Sequence, residues 1–148
     1  MTNEDIDSIE RELELELPDS YRSALVPFAI PALYGSTEHQ LWDDAEGLVR
    51  INREMRAGAR FRPAWPHHMY AVGYPHGDEW IAIDTRDAEG PVWWLDHGIV
   101  DHPASYRSHA RFADWVVEFY RDVRHDLVAD GHDPDLPPTW TAHHRREG

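Results

Sequence analysis

The stretch from Met69 to His97 constrains the fold most, because it contains three short strand-like segments separated by two turn sequences. Strands are predicted at Met69–Tyr74, Glu79–Thr85 and Val92–Asp96. The middle segment alternates with a period of two, which sorts its side chains between two faces. Ile81 and Ile83 share one face, and Trp80, Ala82 and Asp84 share the other. The pattern predicts an antiparallel meander.

The turns between these strands are predicted at 75–78 and 87–90, where Pro, Gly and Asp supply the usual turn chemistry. Two shorter apolar segments, Ala32–Gly35 and Gln40–Trp42, are interpreted as edge strands. The segment from Gly98 to Arg107 is interpreted as a loop.

Helices are predicted on both sides of the meander, because apolar residues recur there at helical spacing. The segments are 4–14, 19–28 and 44–57, followed by a last helix that Ser108 would cap. That last helix has the strongest periodicity, carried by Phe112, Trp115, Val116, Phe119, Tyr120, Val123 and Leu127. The sequence therefore predicts an α+β fold, with a central, mostly antiparallel sheet (meander about 69–96) packed among N-terminal, middle and C-terminal helices.

A chain of 148 residues fits one domain, which we expect to span residues 1–130, with a Pro- and His-containing tail at 131–148. The chain has no cysteine, which excludes disulfides and thiolate metal sites. No apolar run approaches the roughly 20 residues that a membrane-spanning helix needs. The acidic N-terminus lacks the apolar core of a secretory signal, so we expect a cytoplasmic protein with no membrane contact.

The net charge of −14 is unevenly distributed along the chain. Glu4–Asp19 holds eight acids and one arginine (net −7), and Asp78–Asp101 holds seven acids and one arginine (net −6). Between them, Arg50–Arg62 holds five arginines and one acid (net +4). Excess negative charge repels nucleic acid and attracts a basic partner, so we expect no nucleic-acid ligand. The alternative is that the acidity only aids solubility.

No pattern of residues indicates catalysis. The eleven histidines include His97 and His102, but none has the spacing of a zinc site. The serines lie in no nucleophile motif, and a carboxylate pair such as Asp84 and Asp96 is expected by chance in so acidic a chain. The arginine-rich segment is better explained as a solvated helix face than as a phosphate site. We therefore predict no catalytic residue, no metal and no cofactor.

Adjacent tryptophans in the third strand indicate a protein-binding surface instead. Because neighbouring strand residues point to opposite faces, either Trp93 or Trp94 should face away from the main helices, near Trp80 or Tyr70. An exposed aromatic group with an acidic rim is typical of a binding hot spot. The alternative is that another helix or the tail covers it. The predicted partner-binding residues are Asp78, Glu79, Trp80, Asp84, Asp87, Glu89, Trp93, Trp94 and Asp96. A surface of the first helix, with Glu10, Glu12 and Glu14, is the rival site.

Three motifs in order resemble the SUKH superfamily of Smi/Knr-type domains. Leu17-Pro18-x-x-Tyr21 is similar to its LPxxY signature. Gly73, Gly77-Asp78 and Ile83-Asp84 are similar to its glycine- and aspartate-containing segment. The third motif is Val92–His97, followed by a loop and the amphipathic helix near Phe112, and the resemblance covers about residues 4–123.

The resemblance implies an α+β fold and a role in protein binding without shared catalytic residues. Bacterial members resemble immunity proteins of polymorphic toxin systems, and others act in regulation and scaffolding. We therefore expect a cytosolic protein that binds and neutralises a cognate, basic protein toxin, with a nuclease as one candidate. The alternatives are a regulatory or scaffold module that binds no toxin and, third, a small metal-dependent hydrolase.

Overall fold

The computed structural model describes residues 1–26, 41–58, 63–73 and 78–129. This part of the chain contains four helices and a four-stranded sheet, which confirms the predicted α+β class. In chain order the elements are α1 (Asn3–Leu13), α2 (Asp19–Leu25), α3 (Ala45–Ala57), β1 (Met69–Ala71), β2 (Glu79–Asp84), β3 (Val92–Asp96), β4 (Tyr106–His109) and α4 (Phe112–Ala129).

Local side-chain chemistry defines α1. Thr2 Oγ1 accepts a hydrogen bond from the Asp5 amide at 3.0 Å, and Asp5 Oδ2 accepts one from the Thr2 amide at 2.8 Å. This reciprocal capping satisfies two amides that have no partner within the helix. The helix ends where Glu14 adopts a left-handed conformation with φ of 54°. Ile6, Ile9 and Leu13, which recur at helical spacing, form the buried stripe of this helix.

The sheet is an antiparallel meander in the order β1-β2-β3-β4. Strand β1 ends at Ala71, earlier than the predicted end at Tyr74, which lies outside the described residues together with 75–77. The second predicted turn is confirmed: the Gly90 amide donates to the Asp87 carbonyl at 2.9 Å. Gly90 has a φ of 65°, and a Cβ there would lie 2.6 Å from Cγ of Pro18, so glycine is required on both counts.

The predicted loop over Gly98–Arg107 is wrong at its end, because residues 106–109 form the fourth strand. Tyr-Arg-Ser-His shows no apolar alternation, so only backbone pairing with β3 reveals it as a strand. Ser108 does not cap a helix; its hydroxyl donates to the Val92 carbonyl at 3.3 Å. Helix α4 begins later, at Phe112, whose amide donates to the Glu89 carbonyl at 3.0 Å.

Each face of the sheet carries its own hydrophobic cluster. The first face carries Glu79, Ile81, Ile83, Val92, Trp94 and Asp96. Its two isoleucines share one buried cluster with Phe112, Val116 and Phe119 of α4. On the second face, which carries Trp80, Ala82, Asp84, Trp93 and Leu95, the apolar residues pack against Ile51 and Met55 of α3 and against Trp65. The sheet is therefore covered on both sides over most of its length.

Two other predictions fall partly beyond the described ranges. The predicted end of the second helix near Phe28, the predicted edge strand Ala32–Gly35 and the predicted tail at 131–148 lie outside the described residues. Leu41 and Trp42 do not form a strand, although the Trp42 amide donates to the Val72 carbonyl at 3.0 Å. Among the helices that the structure describes, none is both long and apolar enough to cross a bilayer.

Candidate protein-binding surface

The predicted binding residues divide between two ends of the β2–β3 hairpin. Strand β2 has six residues, so its ends lie about 16 Å apart at about 3.3 Å per step. Asp84, Asp87 and Glu89 lie at the end closed by the 87–90 turn, which we call the turn end. Asp78, Glu79 and Asp96 lie at the opposite end, which we call the open end. The structure therefore does not bring the predicted acids together in one patch.

Trp80, one of the predicted partner-binding residues, is buried and therefore does not lie on the accessible surface. Its side chain is 4% exposed and packs edge-on against Trp65, with ring centroids 5.7 Å apart. Gly98 lies directly against the indole, since a Cβ built there would be 3.0 Å from its atoms. Trp80 is buried because α3 and the segment around Trp65 cover the second face of the sheet. Tyr70 is buried as well, and its hydroxyl lies 2.8 Å from that of Tyr21.

Trp93 and Trp94 point to opposite faces, as alternation requires, and both are half-buried. Trp93 packs against the second cluster. Trp94 stacks on Tyr106, its cross-strand neighbour, with ring centroids 5.5 Å apart and an interplanar angle of 29°. Tyr106 is 54% exposed, which makes it the more accessible ring of the pair. Tyr106 is not among the predicted binding residues, because its strand has no periodic signal.

Acidic side chains lie beside this aromatic pair. Glu79 and Asp96 are directly opposite each other on the first face, and Asp96 lies two residues after Trp94 on the same strand. Like charges in this arrangement repel each other. No arginine or lysine occurs between residues 92 and 106. The open end therefore combines an exposed aromatic ring with two facing carboxylates.

Histidines supply the basic groups that the structure places at the open end. His97 Nδ1 lies 3.2 Å from Asp96 Oδ2, and its Nε2 lies 3.5 Å from Asp78 Oδ2. His102 Nδ1 lies 3.4 Å from Asp96 Oδ2, but it also accepts a hydrogen bond from the Ala104 amide at 3.0 Å. A nitrogen that accepts this bond carries no proton to donate to the carboxylate, so the shorter backbone bond dominates. Within the described ranges, no three His, Asp or Glu residues converge to hold a metal ion.

Two of the three acids of the turn end, Asp84 and Glu89, lie beside arginines. Both carboxylate oxygens of Asp84 accept hydrogen bonds from the Arg86 guanidinium, at 3.0 and 2.7 Å. These bonds hold the pKa of Asp84 below its ordinary value. Glu89 lies 3.8 Å from Arg111, and Asp87 Oδ1 accepts a hydrogen bond from the Glu89 amide. Arginine neutralises much of the negative charge of this end.

Acids of the rival surface on α1 also form ion pairs with arginines. Arg22 of α2 donates to Asp7 at 2.7 Å and to Glu10 at 2.8 Å. Arg53 of α3 forms an ion pair with Glu12. Arg56 donates to the Leu13 carbonyl at 2.7 Å, at the C-terminal end of α1. Arg53 and Arg56 therefore hold α1 and α3 together, which refines the prediction that the arginine-rich segment is a solvated helix face.

The loop that leads from β3 to β4 is held by several hydrogen bonds. Ser105 Oγ accepts from the Asp96 amide at 3.0 Å and donates to the Ile99 carbonyl at 2.7 Å. Trp65 Nε1 donates to the Gly98 carbonyl at 2.7 Å. These bonds anchor the loop at both ends to the folded body, so Asp96 and Tyr106 are held in a defined relative position.

Residues 1–118 match the SMI1 / KNR4 family (SUKH-1). The chain belongs to this family. Membership confirms the resemblance that the motifs indicated and is consistent with a role as an immunity protein, since SUKH domains are generally immunity proteins rather than enzymes. Neither a curated protein nor a solved structure matches the chain.

The residues of the LPxxY motif pack within the fold. Leu17 and Tyr21 of the LPxxY motif are buried, and Pro18 packs against Gly90 at the turn of the meander. Burial raises the pKa of Tyr21, so its hydroxyl stays protonated against Tyr70. These residues hold α2 to the sheet. The described residues of the LPxxY motif therefore stabilise the fold.

Proposed function

We propose that this SUKH-family protein is an immunity protein that binds and neutralises a cognate protein toxin of a polymorphic toxin system. Inhibition occurs by direct protein–protein contact, and the toxin is basic. Family membership supports the class of function. The net charge of −14 supports the sign of the partner, because an acidic protein attracts a basic one over long range.

The observation that carries this proposal is the exposed Tyr106 ring, stacked on the half-buried Trp94 beside the facing carboxylates of Glu79 and Asp96. Aromatic rings supply much of the affinity of protein interfaces, because they bury a large area at a small cost in conformational entropy. Surrounding acids increase the rate of association with a basic partner. A toxin that acts on nucleic acid suits this surface, because an acidic inhibitor can occupy the groove that binds phosphates.

The test is neutralisation in cells. A candidate toxic domain, taken from a neighbouring reading frame, would be expressed from an inducible promoter, with and without this protein. We expect the toxin alone to stop growth and co-expression to restore it, and we expect the purified proteins to form a stable complex. Absence of both rescue and complex formation would contradict the proposal. Complex formation without rescue would instead favour a regulatory or scaffold role.

A kinetic measurement tests the electrostatic part separately. Association of the two purified proteins would be followed at ionic strengths from about 0.02 to 0.5 M. The Debye length falls from about 20 Å to about 4 Å over this range, so a steered encounter slows strongly as salt is added. We expect the association rate to fall at least tenfold. A rate independent of salt would show that charge does not guide the encounter.

A further inference from the structure

We propose that the open end is the toxin-binding face and that it receives an arginine side chain of the toxin. The guanidinium would lie on the exposed side of the Tyr106 ring and bind the carboxylates of Glu79 and Asp96. This inference rests on the proposed function and deepens it, since it assigns the face and the chemistry of the group that the face recognises.

The charge balance distinguishes the open end from its two rivals. At the turn end, Asp84 and Glu89 face Arg86 and Arg111. On α1, Asp7, Glu10 and Glu12 face Arg22 and Arg53. At the open end, the described residues place only histidines near Asp78 and Asp96. Among the residues that the structure describes, the ion pairs of Asp78 and Asp96 involve histidines and no arginine, so the negative charge beside the aromatic pair is available to a cation from outside.

The geometry suits one long cationic side chain. Trp94 covers one side of the Tyr106 ring, and the 54% exposure of Tyr106 arises from the remaining surface. Asp96 follows Trp94 by two positions on the same face, so it is a diagonal neighbour of Tyr106, at about 7–8 Å between residues. Glu79 lies opposite Asp96. An incoming cation is therefore within reach of the ring and of both carboxylates.

The facing carboxylates provide a further reason for a cation. Glu79 and Asp96 are directly opposite each other, and such like-charged pairs destabilise a sheet. A bound cation converts this repulsion into two attractive contacts. Arginine fits better than lysine, because its planar guanidinium stacks on an aromatic ring and presents a fork of donors to carboxylates.

The open end and the turn end are far enough apart for their electrostatic effects on a partner to differ. The two ends are about 16 Å apart, which is about two Debye lengths at physiological ionic strength. Charges at the turn end are therefore largely screened from a partner that binds at the open end. Equal changes of charge at the two ends should have unequal effects on association, and this difference makes the proposal testable.

The first experiment compares two matched charge reversals, using the toxin domain whose toxicity the wild-type protein suppresses. The open-end variant carries Asp78→Lys and Glu79→Lys, and the turn-end variant carries Asp87→Lys and Glu89→Lys. All four side chains are exposed, and both variants change the net charge by +4. We expect the open-end variant to slow association at least tenfold and the turn-end variant to slow it less than threefold. The opposite order, or equal effects, would overturn the assignment of the face.

The second experiment tests the aromatic ring. Tyr106→Leu keeps an apolar side chain but removes the π face, whereas Tyr106→Phe keeps the ring and removes only the hydroxyl. Because Tyr106 is exposed, both variants should fold, and equal urea midpoints would verify this. We expect Tyr106→Leu to weaken binding at least tenfold and Tyr106→Phe to bind at least fivefold more tightly than Tyr106→Leu. Equal affinity of the two variants would refute stacking of a cation on the ring.

The third experiment identifies the group that the toxin contributes. Phenylglyoxal modifies arginine, and mass spectrometry would report which toxin arginines the wild-type complex protects. We expect one protected arginine, whose replacement by alanine weakens binding at least tenfold to the wild-type protein but less than threefold to Tyr106→Leu. If no toxin arginine is protected, the proposal is wrong. Failure of the wild-type protein to bind or neutralise the toxin would instead remove the proposed function itself, and the assignment of the face with it.

Discussion

Replacement of the buried Asn52 by alanine is expected to destabilise the protein more than any nearby surface change. The side chain is 0% exposed and pairs with the backbone of the edge strand β1. Its Oδ1 accepts from the Ala71 amide at 2.7 Å, and its Nδ2 donates to the Ala71 carbonyl at 3.0 Å and to the Leu48 carbonyl at 2.9 Å. The amide thus takes the place of a neighbouring strand beside β1.

The size of this destabilisation follows from the backbone groups that alanine leaves without hydrogen-bond partners. Alanine removes the partners of the Ala71 amide and carbonyl, and each buried unsatisfied group costs about 1–3 kcal/mol. Alanine also favours the helix over asparagine, by about 0.5 kcal/mol, which offsets a small part of the loss. We therefore expect the free energy of unfolding to fall by about 2–5 kcal/mol.

Urea denaturation measures this loss. With a slope of about 2 kcal/mol per molar urea, the midpoint should fall by about 1–2.5 M. Glu54→Ala is the matched control, because it lies on the exposed side of the same helix and should change the free energy of unfolding by about 0.5 kcal/mol or less. If Asn52→Ala costs less than about 1 kcal/mol, the reasoning that this amide completes the edge of the sheet is wrong.

Three further changes test the core, the turn and the pH response. Phe119→Ala should cost about 3–5 kcal/mol in unfolding free energy, since the ring is 9% exposed within the main core; a loss below about 0.5 kcal/mol would exclude a core position. Gly90→Ala should lower the free energy of unfolding by about 2–5 kcal/mol, because of the left-handed φ of Gly90 and its contact with Pro18. The double variant Gly90→Ala with Pro18→Ala should lose less than the sum of the two single variants, and strict additivity would refute that contact. The pKa of Asp84, measured by a carbon NMR titration, should lie below 3.8 and rise in Arg86→Ala. Because the folded pKa is depressed, the stabilisation by this pair is complete above the unfolded pKa and is lost as the pH falls through the folded pKa, and an unchanged pKa in the variant would exclude Arg86 as the cause.

The candidate surface was predictable only in part. Alternation along a strand is a local property, so the placement of Trp93 and Trp94 on opposite faces followed from their adjacency. The burial of Trp80, which was predicted to bind a partner, did not follow from local patterns, because α3 and Trp65, distant in sequence, cover it. Tyr106 was missed because its strand exists only through pairing with β3. That pairing also supplies the stacking partner of Trp94.

Which acidic residues lack an arginine partner could not be predicted from local sequence patterns either. The segments 4–19 and 78–101 have similar negative charge in the sequence. Arg22 and Arg53 reach α1 from other helices, and Arg111 reaches the turn end from the start of α4. These ion pairs join residues that are far apart along the chain, so composition alone did not distinguish the open end from the other acidic surfaces.

The sequence by itself determined the elements with strong local periodicity. Apolar spacing specified α1 and α4, alternation specified β2, and the residues of the 87–90 turn specified the reversal between β2 and β3. Only the tertiary structure decided that both faces of the meander are covered, that residues 106–109 form a strand, and that Asn52 completes the edge of β1. The physical reason is range: periodicity and turn chemistry act between neighbours, whereas burial, strand pairing and ion pairing depend on residues that folding brings together.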